Sequence, residues 1–175
     1  MPRIIDEREV FKTKIFSIKE IDIKFDKNLV TYNLVEKQDS ALLVPVTNDH
    51  KLILIREYFP TLDKILIALP KGRVENDNPI ESANKELQEE AGYKAQELIP
   101  LGTLLVSPGN TRHKTHVYLA RKLIESKLKG DEQHPIDVIK IPFADFEKCI
   151  EKGELQEARM IAALYLAKGY LEKNK

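Results

Sequence analysis

Short apolar runs bounded by turn-forming residues fill the first half of the chain, at 16–25, 29–36, 41–47, 52–58 and 65–69, and their length and period predict strands. Between two of them lies "TNDH", residues 47–50. Asn and Asp accept left-handed geometry and bond their own backbone, so 41–58 is expected to form an antiparallel hairpin. The period then changes. Asn78 suits a helix N-cap, Pro79 the first helical position, Glu81 the capping-box position three residues on, and Gly92 the C-terminal stop. A helix of about three turns fits this span, with Ile80, Ala83, Leu87 and Ala91 as its buried stripe. Strands at 101–106, 115–123 and 138–141 follow, then helices at 143–151 and 155–172. Strands, helix, strands, helices is the order of an α/β fold, a mixed sheet with helices on its faces.

Composition narrows the partners. The chain has 175 residues, 42% hydrophobic and 32% charged, the size and make-up of an ordinary globular domain. Basic and acidic residues balance at 28 each with no block of one sign, so neither nucleic acid nor an anionic membrane is the expected partner. No apolar run reaches the roughly 20 residues that span a bilayer. The single cysteine, Cys149, has no internal partner, and "MPRIIDEREVFKTK" lacks the apolar core of a secretory signal, so a cytoplasmic location is expected.

Against that neutral background one local feature stands out. "PKGRVENDNPIESANKELQEEAGY", residues 70–93, carries Glu86, Glu89 and Glu90 on one short helix. Residues three and four apart are neighbours there, so the like charges repel. A solvated face softened by a Lys85–Glu89 pair is one explanation. A second is that "PKG" leaves an apolar strand and brings the Lys71 carbonyl towards the same point; oxygen donors converging on one spot suit a hard cation such as Mg²⁺ or Mn²⁺.

The stretch resembles the Nudix box. "KELQEEAGY", 85–93, matches the second half of that pattern except that Lys85 stands where the family has arginine. Gly72 matches in the first half; counting back from Glu86 puts Asp77 at the family's glutamate position, with the intervening loop one residue short. Lysine offers a point charge in place of a planar fork, which bears on how the box carboxylates are oriented. Over nearly the whole chain the sequence is similar to the ADP-sugar pyrophosphatase branch, and most to the bacterial ADP-compounds hydrolases. The marks are "LILIREYF", "SPG" with Pro108 fifteen residues past Tyr93, "GDE" at 130–132, and "GELQEARMIAALYLAKGYL".

The resemblance implies a Nudix fold, a mixed sheet sandwiched between helices, preceded by an N-terminal antiparallel strand-rich segment at 1–38 that helps to build a homodimer, with the hydrolase domain at 39–175. It implies metal-dependent hydrolysis of the diphosphate linkage in ADP-ribose, related ADP-sugars, NADH or diadenosine di- and triphosphate, releasing AMP. A different nucleoside diphosphate derivative as substrate, or a non-catalytic ADP-ribose-binding module, is the alternative. Glu86, Glu90 and the Lys71 carbonyl are the expected Mg²⁺ ligands (Mn²⁺ being the other suitable ion), with Glu89 at a second ion or its waters. The general base is expected in "KGDEQHP", 129–135, as Glu132 and after it Asp131, with Glu89 a further catalytic candidate. Arg56, Glu57, Pro108 and Arg112 are the expected contacts to a small nucleotide. Where the branch often has a substrate arginine this chain has Phe59, so Arg56 or Arg112 takes that part, or an aromatic ring stacks on adenine. Histidines 50, 113 and 116 have no zinc-site spacing, and Ser107 lacks a nucleophile's context.

Overall fold

The computed structural model describes residues 1–130 and 134–174. Its strands, in chain order, are β1 (Arg3–Lys12), β2 (Ser17–Phe25), β3 (Asn28–Glu36), β4 (Ser40–Pro45), β5 (Lys51–Phe59), β6 (Lys64–Ala68), β7 (Lys71–Arg73), β8 (Tyr93–Leu105), β9 (Thr111–Arg112), β10 (Lys114–Glu125) and β11 (Asp137–Pro142). The helices are α1 (Pro79–Glu86), extended by a π-helical turn at Leu87–Ala91, then α2 (Phe146–Glu151) and α3 (Ala158–Lys173). The chain divides into two compact units: Met1–Asp39 with Leu105–Lys114, and Ser40–Leu104 with the chain from Thr115 onward.

In the first unit β1, β2 and β3 form an antiparallel meander, and β9 joins the end of β3 in parallel. Apolar patterning gave no sign of β1, because nothing in it is buried. Charge pairs across the ladder hold it: Arg8 meets Asp22 at 2.8 Å and Glu20 at 2.6 Å, and Lys19 meets Glu7 at 2.9 Å.

The second unit contains two sheets, ordered β7-β4-β10-β8 and β11-β5-β6. Here the expected hairpin needs correction. Its turn forms: Thr47 donates its N–H to the Lys51 carbonyl and accepts from the Lys51 N–H, both at 2.9 Å, while His50 takes a φ of 57°. Only one bridge, Val46 to Leu52, follows, and then β4 and β5 part into separate sheets. Each is a central strand. All of β4 is buried, and Leu52, Ile53, Leu54 and Ile55 are fully enclosed, so both strands read as unbroken apolar runs rather than alternating ones.

Two further boundaries shift. The "PKG" turn is itself a strand, since β7 pairs antiparallel with Ser40, Ala41 and Leu42. Strand β8 begins at Tyr93 instead of 101, its polar first half anchored by buried Ala95. In α1 the buried positions are Ser82 and Ala83; Ile80, in the first turn, is 52% exposed and stands outside the expected buried stripe. Leu87, Ala91, Leu69, Phe146 and Leu155 meet Met160, Ala163, Leu164 and Ala167 of α3 in that core. These α3 positions fall on one helical face. Among the described residues no helix is long and apolar enough to cross a membrane.

Candidate active site

The carboxylate-bearing helix is fixed at both ends. Asn78 caps it, its side-chain oxygen accepting from the Glu81 N–H at 3.2 Å, while its amide donates to the Glu81 carboxylate at 2.9 Å. This differs from the expected capping box, in which Glu81 would reach the cap's backbone; that N–H goes to the Glu75 carbonyl instead. At the far end Gly92, with φ of 79°, closes the π turn in the left-handed conformation glycine allows. The chain after β10 then satisfies the helix's last carbonyls: Ser126 N–H donates to Gly92, Leu128 N–H to Gln88, and the Lys127 ammonium to Glu89. A cation at a helix C-terminus also offsets the helix dipole.

The π turn adds a residue to the circuit and so rotates Glu89 and Glu90 away from simple α-helical stacking on Glu86. Glu90 turns inward and is 2% exposed; Glu86 and Glu89 stay half-buried. Oε2 of Glu90 accepts the backbone N–H of Lys71 at 2.8 Å. Burial pushes the Glu90 carboxyl up to about 8; the Lys71 ammonium and amide pull it down, while Glu57 and Glu86 push it further up. The Glu86 carboxyl lies over Gly72, where any side chain would collide with it. From β5, Glu57 forms an ion pair with the Lys71 ammonium, which also sits 5.3 Å from the centre of the Phe59 ring.

Lys85 finds its carboxylate in Glu75, at 2.9 Å, and that hydrogen bond raises its pKa. Neither Glu89 nor Asp77 takes this place. Asp77 lies next to Asn76 in a tight turn where both have positive φ. The carboxylate that reaches the helix lysine is thus Glu75, two residues before the Asp77 obtained by counting back from Glu86.

Of the residues singled out in the sequence, Glu57, Lys71, Glu86 and Glu90 come together. Arg56 is exposed, and strand alternation sends it to the opposite face of β5 from Glu57. Pro108 and Arg112 belong to the first unit, where with Ile21, Ile23 and Tyr32 they line a cavity of about 340 Å³. There Arg112 holds Glu7 at 2.9 Å and Glu36 at 2.8 Å. Asp131 and Glu132 lie outside the described residues. Glu75 and Lys127 were not anticipated as parts of the site, and neither carried a sequence signal; Phe59, which stands at the position of a substrate arginine, packs against the Lys71 ammonium. Among the described residues no three His, Cys, Asp or Glu side chains form a metal cage by themselves.

A sequence model of the NUDIX domain matches residues 36–164. The chain belongs to the Nudix family. It is a Nudix pyrophosphohydrolase with the α/β fold its sequence implied. The chain is 29% identical over 175 residues to the ADP compounds hydrolase NudE of Escherichia coli (strain K12), covering 98% of this chain and 94% of that protein. It is 27% identical over 169 residues to the ADP-ribose pyrophosphatase of Bacillus subtilis (strain 168), covering 91% of each. A crystal structure of an ADP compounds hydrolase superposes with a TM-score of 0.89 at 28% identity, covering 99% of this chain and 95% of the other.

Proposed function

We propose that this Nudix hydrolase cleaves the diphosphate linkage of ADP-containing compounds, releasing AMP and a second phosphorylated product, with Mg²⁺ or Mn²⁺ as its cofactor. Similarity to an ADP compounds hydrolase and to an ADP-ribose pyrophosphatase along almost the whole chain supports the substrate class. The observation that carries the chemistry is the enclosed Glu90 carboxyl beside Glu86 and Glu57. A buried carboxylate costs free energy unless a cation compensates it.

Hard carboxylate oxygens fit Mg²⁺ or Mn²⁺. Glu86 and Glu90 would hold the ion, together with the Lys71 carbonyl, since side chains alone do not complete a cage. Glu89 would serve a second ion or its waters. The bound cation supplies charge neutralisation of the diphosphate and acidification of water. The protein's own part is to keep Glu90 in place through the Lys71 N–H, to keep the space over Gly72 open for Glu86, and to present Glu57 to the substrate side. Glu132, or Asp131, takes the proton from the attacking water. Pro108 and Arg112 are the proposed nucleotide contacts, and residues 1–38 are the proposed dimer-forming segment of a cytoplasmic homodimer. Its exposed Ile4, Ile5, Val10 and Phe11 supply apolar surface for that purpose.

The test is a substrate panel with purified protein and Mg²⁺: ADP-ribose, NADH, diadenosine di- and triphosphate, ADP-mannose and GDP-mannose, with products separated by chromatography. AMP should appear from the adenosine compounds. Turnover of GDP-mannose alone would overturn the proposed substrate class.

A further inference from the structure

We propose that the Lys71 ammonium is a built-in counter-cation of the carboxylate cluster, and that it sets how tightly the cluster takes up a divalent ion. The inference rests on the reading of Glu86 and Glu90 as metal ligands. It starts from a residue with two separate attachments. The backbone N–H of Lys71 holds Glu90, on the helix; its side chain crosses to Glu57, on β5. Both side chains of the Lys71–Glu57 pair are largely enclosed, at 15% and 20% exposure, and the Phe59 ring lies against the ammonium on a further side. A positive charge is thereby fixed against Glu57 and within electrostatic reach of Glu90, which also feels Glu57 and Glu86, with few of the water molecules that would screen it.

Three carboxylates gathered at the end of two elements need positive charge to coexist, and in the absence of a metal ion the charge at hand is this lysine. The same charge opposes an incoming divalent ion in two ways. It repels the ion directly, and it engages Glu57, which would otherwise lend its negative charge to the ion. Removing the ammonium relieves both, so, when affinities are compared after correction for the proton that Mn²⁺ displaces from Glu90, the two effects have one sign: cation affinity rises. A lysine serving only as a structural strut predicts lost stability with unchanged affinity. A lysine serving only to grip substrate phosphate predicts a raised KM with unchanged affinity.

The experiment is calorimetric titration of metal-stripped full-length protein with Mn²⁺, paired with thermal unfolding with and without Mn²⁺. Lys71→Met leaves the backbone N–H and carbonyl in place. Its Kd for Mn²⁺ should fall at least about tenfold, the effect of removing a unit positive charge a few ångströms from a divalent ion, its metal-free Tm should drop, and saturating Mn²⁺ should restore most of that loss. Lys71→Arg should keep the wild-type Kd, and Glu57→Gln, which removes an anion and leaves the ammonium, should weaken Mn²⁺ binding. Lys71→Gln, which keeps a donor for Glu57 without the charge, should tighten binding as Lys71→Met does. Should both neutral variants unfold without metal, refolding on addition of Mn²⁺ supports the inference and failure to refold overturns it. If wild type binds Mn²⁺ and the neutral variants bind it no tighter, the counter-cation falls while the metal reading stands. If neither wild type nor the neutral variants bind Mn²⁺, both fall together.

Discussion

The Glu86 carboxyl group occupies the space in which a side chain on Gly72 would stand. Gly72 has an ordinary negative-φ backbone, so alanine is sterically permitted there by the main chain, and the nearest atoms it would meet all belong to the Glu86 carboxyl. The far end of a glutamate can swing aside. Gly72→Ala is therefore expected to fold, to keep its Tm within a few degrees, and to lose about a hundredfold in Mg²⁺-dependent turnover, the effect of displacing a ligand from its support. Circular dichroism, unfolding and rate measurements on one preparation check it; a fully active variant would mean that Glu86 does not work from this position.

Glu90 makes a pH prediction whose sign is opposite to the usual carboxylate. Its pKa is raised on folding from 4.5 to about 8, so between those values the folded chain binds a proton that the unfolded chain has released. Metal-free stability should then decline as pH rises from about 5 to about 8, with a Glu90 contribution of up to about 1.4 kcal/mol per pH unit. In Glu90→Gln that component of the slope should vanish. Saturating Mn²⁺ should flatten it in wild type, because the ion favours the charged form. Urea unfolding at pH 5, 6, 7 and 8 provides the comparison. The same Glu90→Gln variant should lose several orders of magnitude in turnover, about as much as removal of a direct ligand to a catalytic ion.

Lys85 and Glu75 form an exposed pair, and such pairs contribute only about 0–1 kcal/mol to stability, so their expected effect is on rate rather than on folding. Lys85→Ala and Glu75→Gln should each lower turnover several-fold, and the double variant should be no worse than either single one. Lys85→Arg should be active at least to the wild-type level, because guanidinium adds a planar fork. Asp77→Asn should be neutral. A loss at Asp77 with none at Glu75 would return the function to the position obtained by counting residues.

What the sequence disclosed followed the kind of force involved. The helix was legible because Asn78, Pro79 and Gly92 are local signals whose effect is exerted within a turn. Strands β4 and β5 were legible as strands because their runs are apolar, but their partners were not, since apolarity says that a strand is buried and not which neighbour buries it. Strand β1 was hidden because its ladder is stitched by Arg8, Lys19 and their carboxylates, which read as a charged tail. In the site, the motif brought out Glu86 and Glu90. Lys71, which holds Glu57 through its ammonium and Glu90 through its backbone N–H, depends on β5 and β7 approaching the same helix, a long-range fact with no local sequence mark.

The first unit offers a contrasting acid response. Glu7 is held down from 4.5 to about 2, foremost by its hydrogen bond with Arg112 and then by that with Lys19. A depressed carboxylate stabilises the fold above its unfolded pKa and loses that contribution as pH falls through the folded one. Arg112→Ala should thus begin to unfold in this unit at higher pH than wild type on acid titration, and 1 M salt should narrow the difference because the pair is exposed. If Arg112→Ala alters KM for ADP-ribose without moving the acid transition, its main part is in substrate binding.

The general base is separable from the metal ligands by what rescues its loss. Glu132, proposed from the loop at 129–135, would act on water without anchoring the ion, so Glu132→Gln should depress kcat far more than it changes KM or the Kd for Mn²⁺. Glu86→Gln, by comparison, should weaken metal binding and turnover together. Raising pH supplies hydroxide and should partly restore the Glu132 variant, whereas additional Mg²⁺ should partly restore the Glu86 variant. Rate measured against pH and against Mg²⁺ for the two variants gives four curves, and the pairing of rescue with variant identifies each role. Full turnover of Glu132→Gln at neutral pH would move the base elsewhere, first to Asp131 and then to Glu89, which is half-buried on the same helical turn as Glu90.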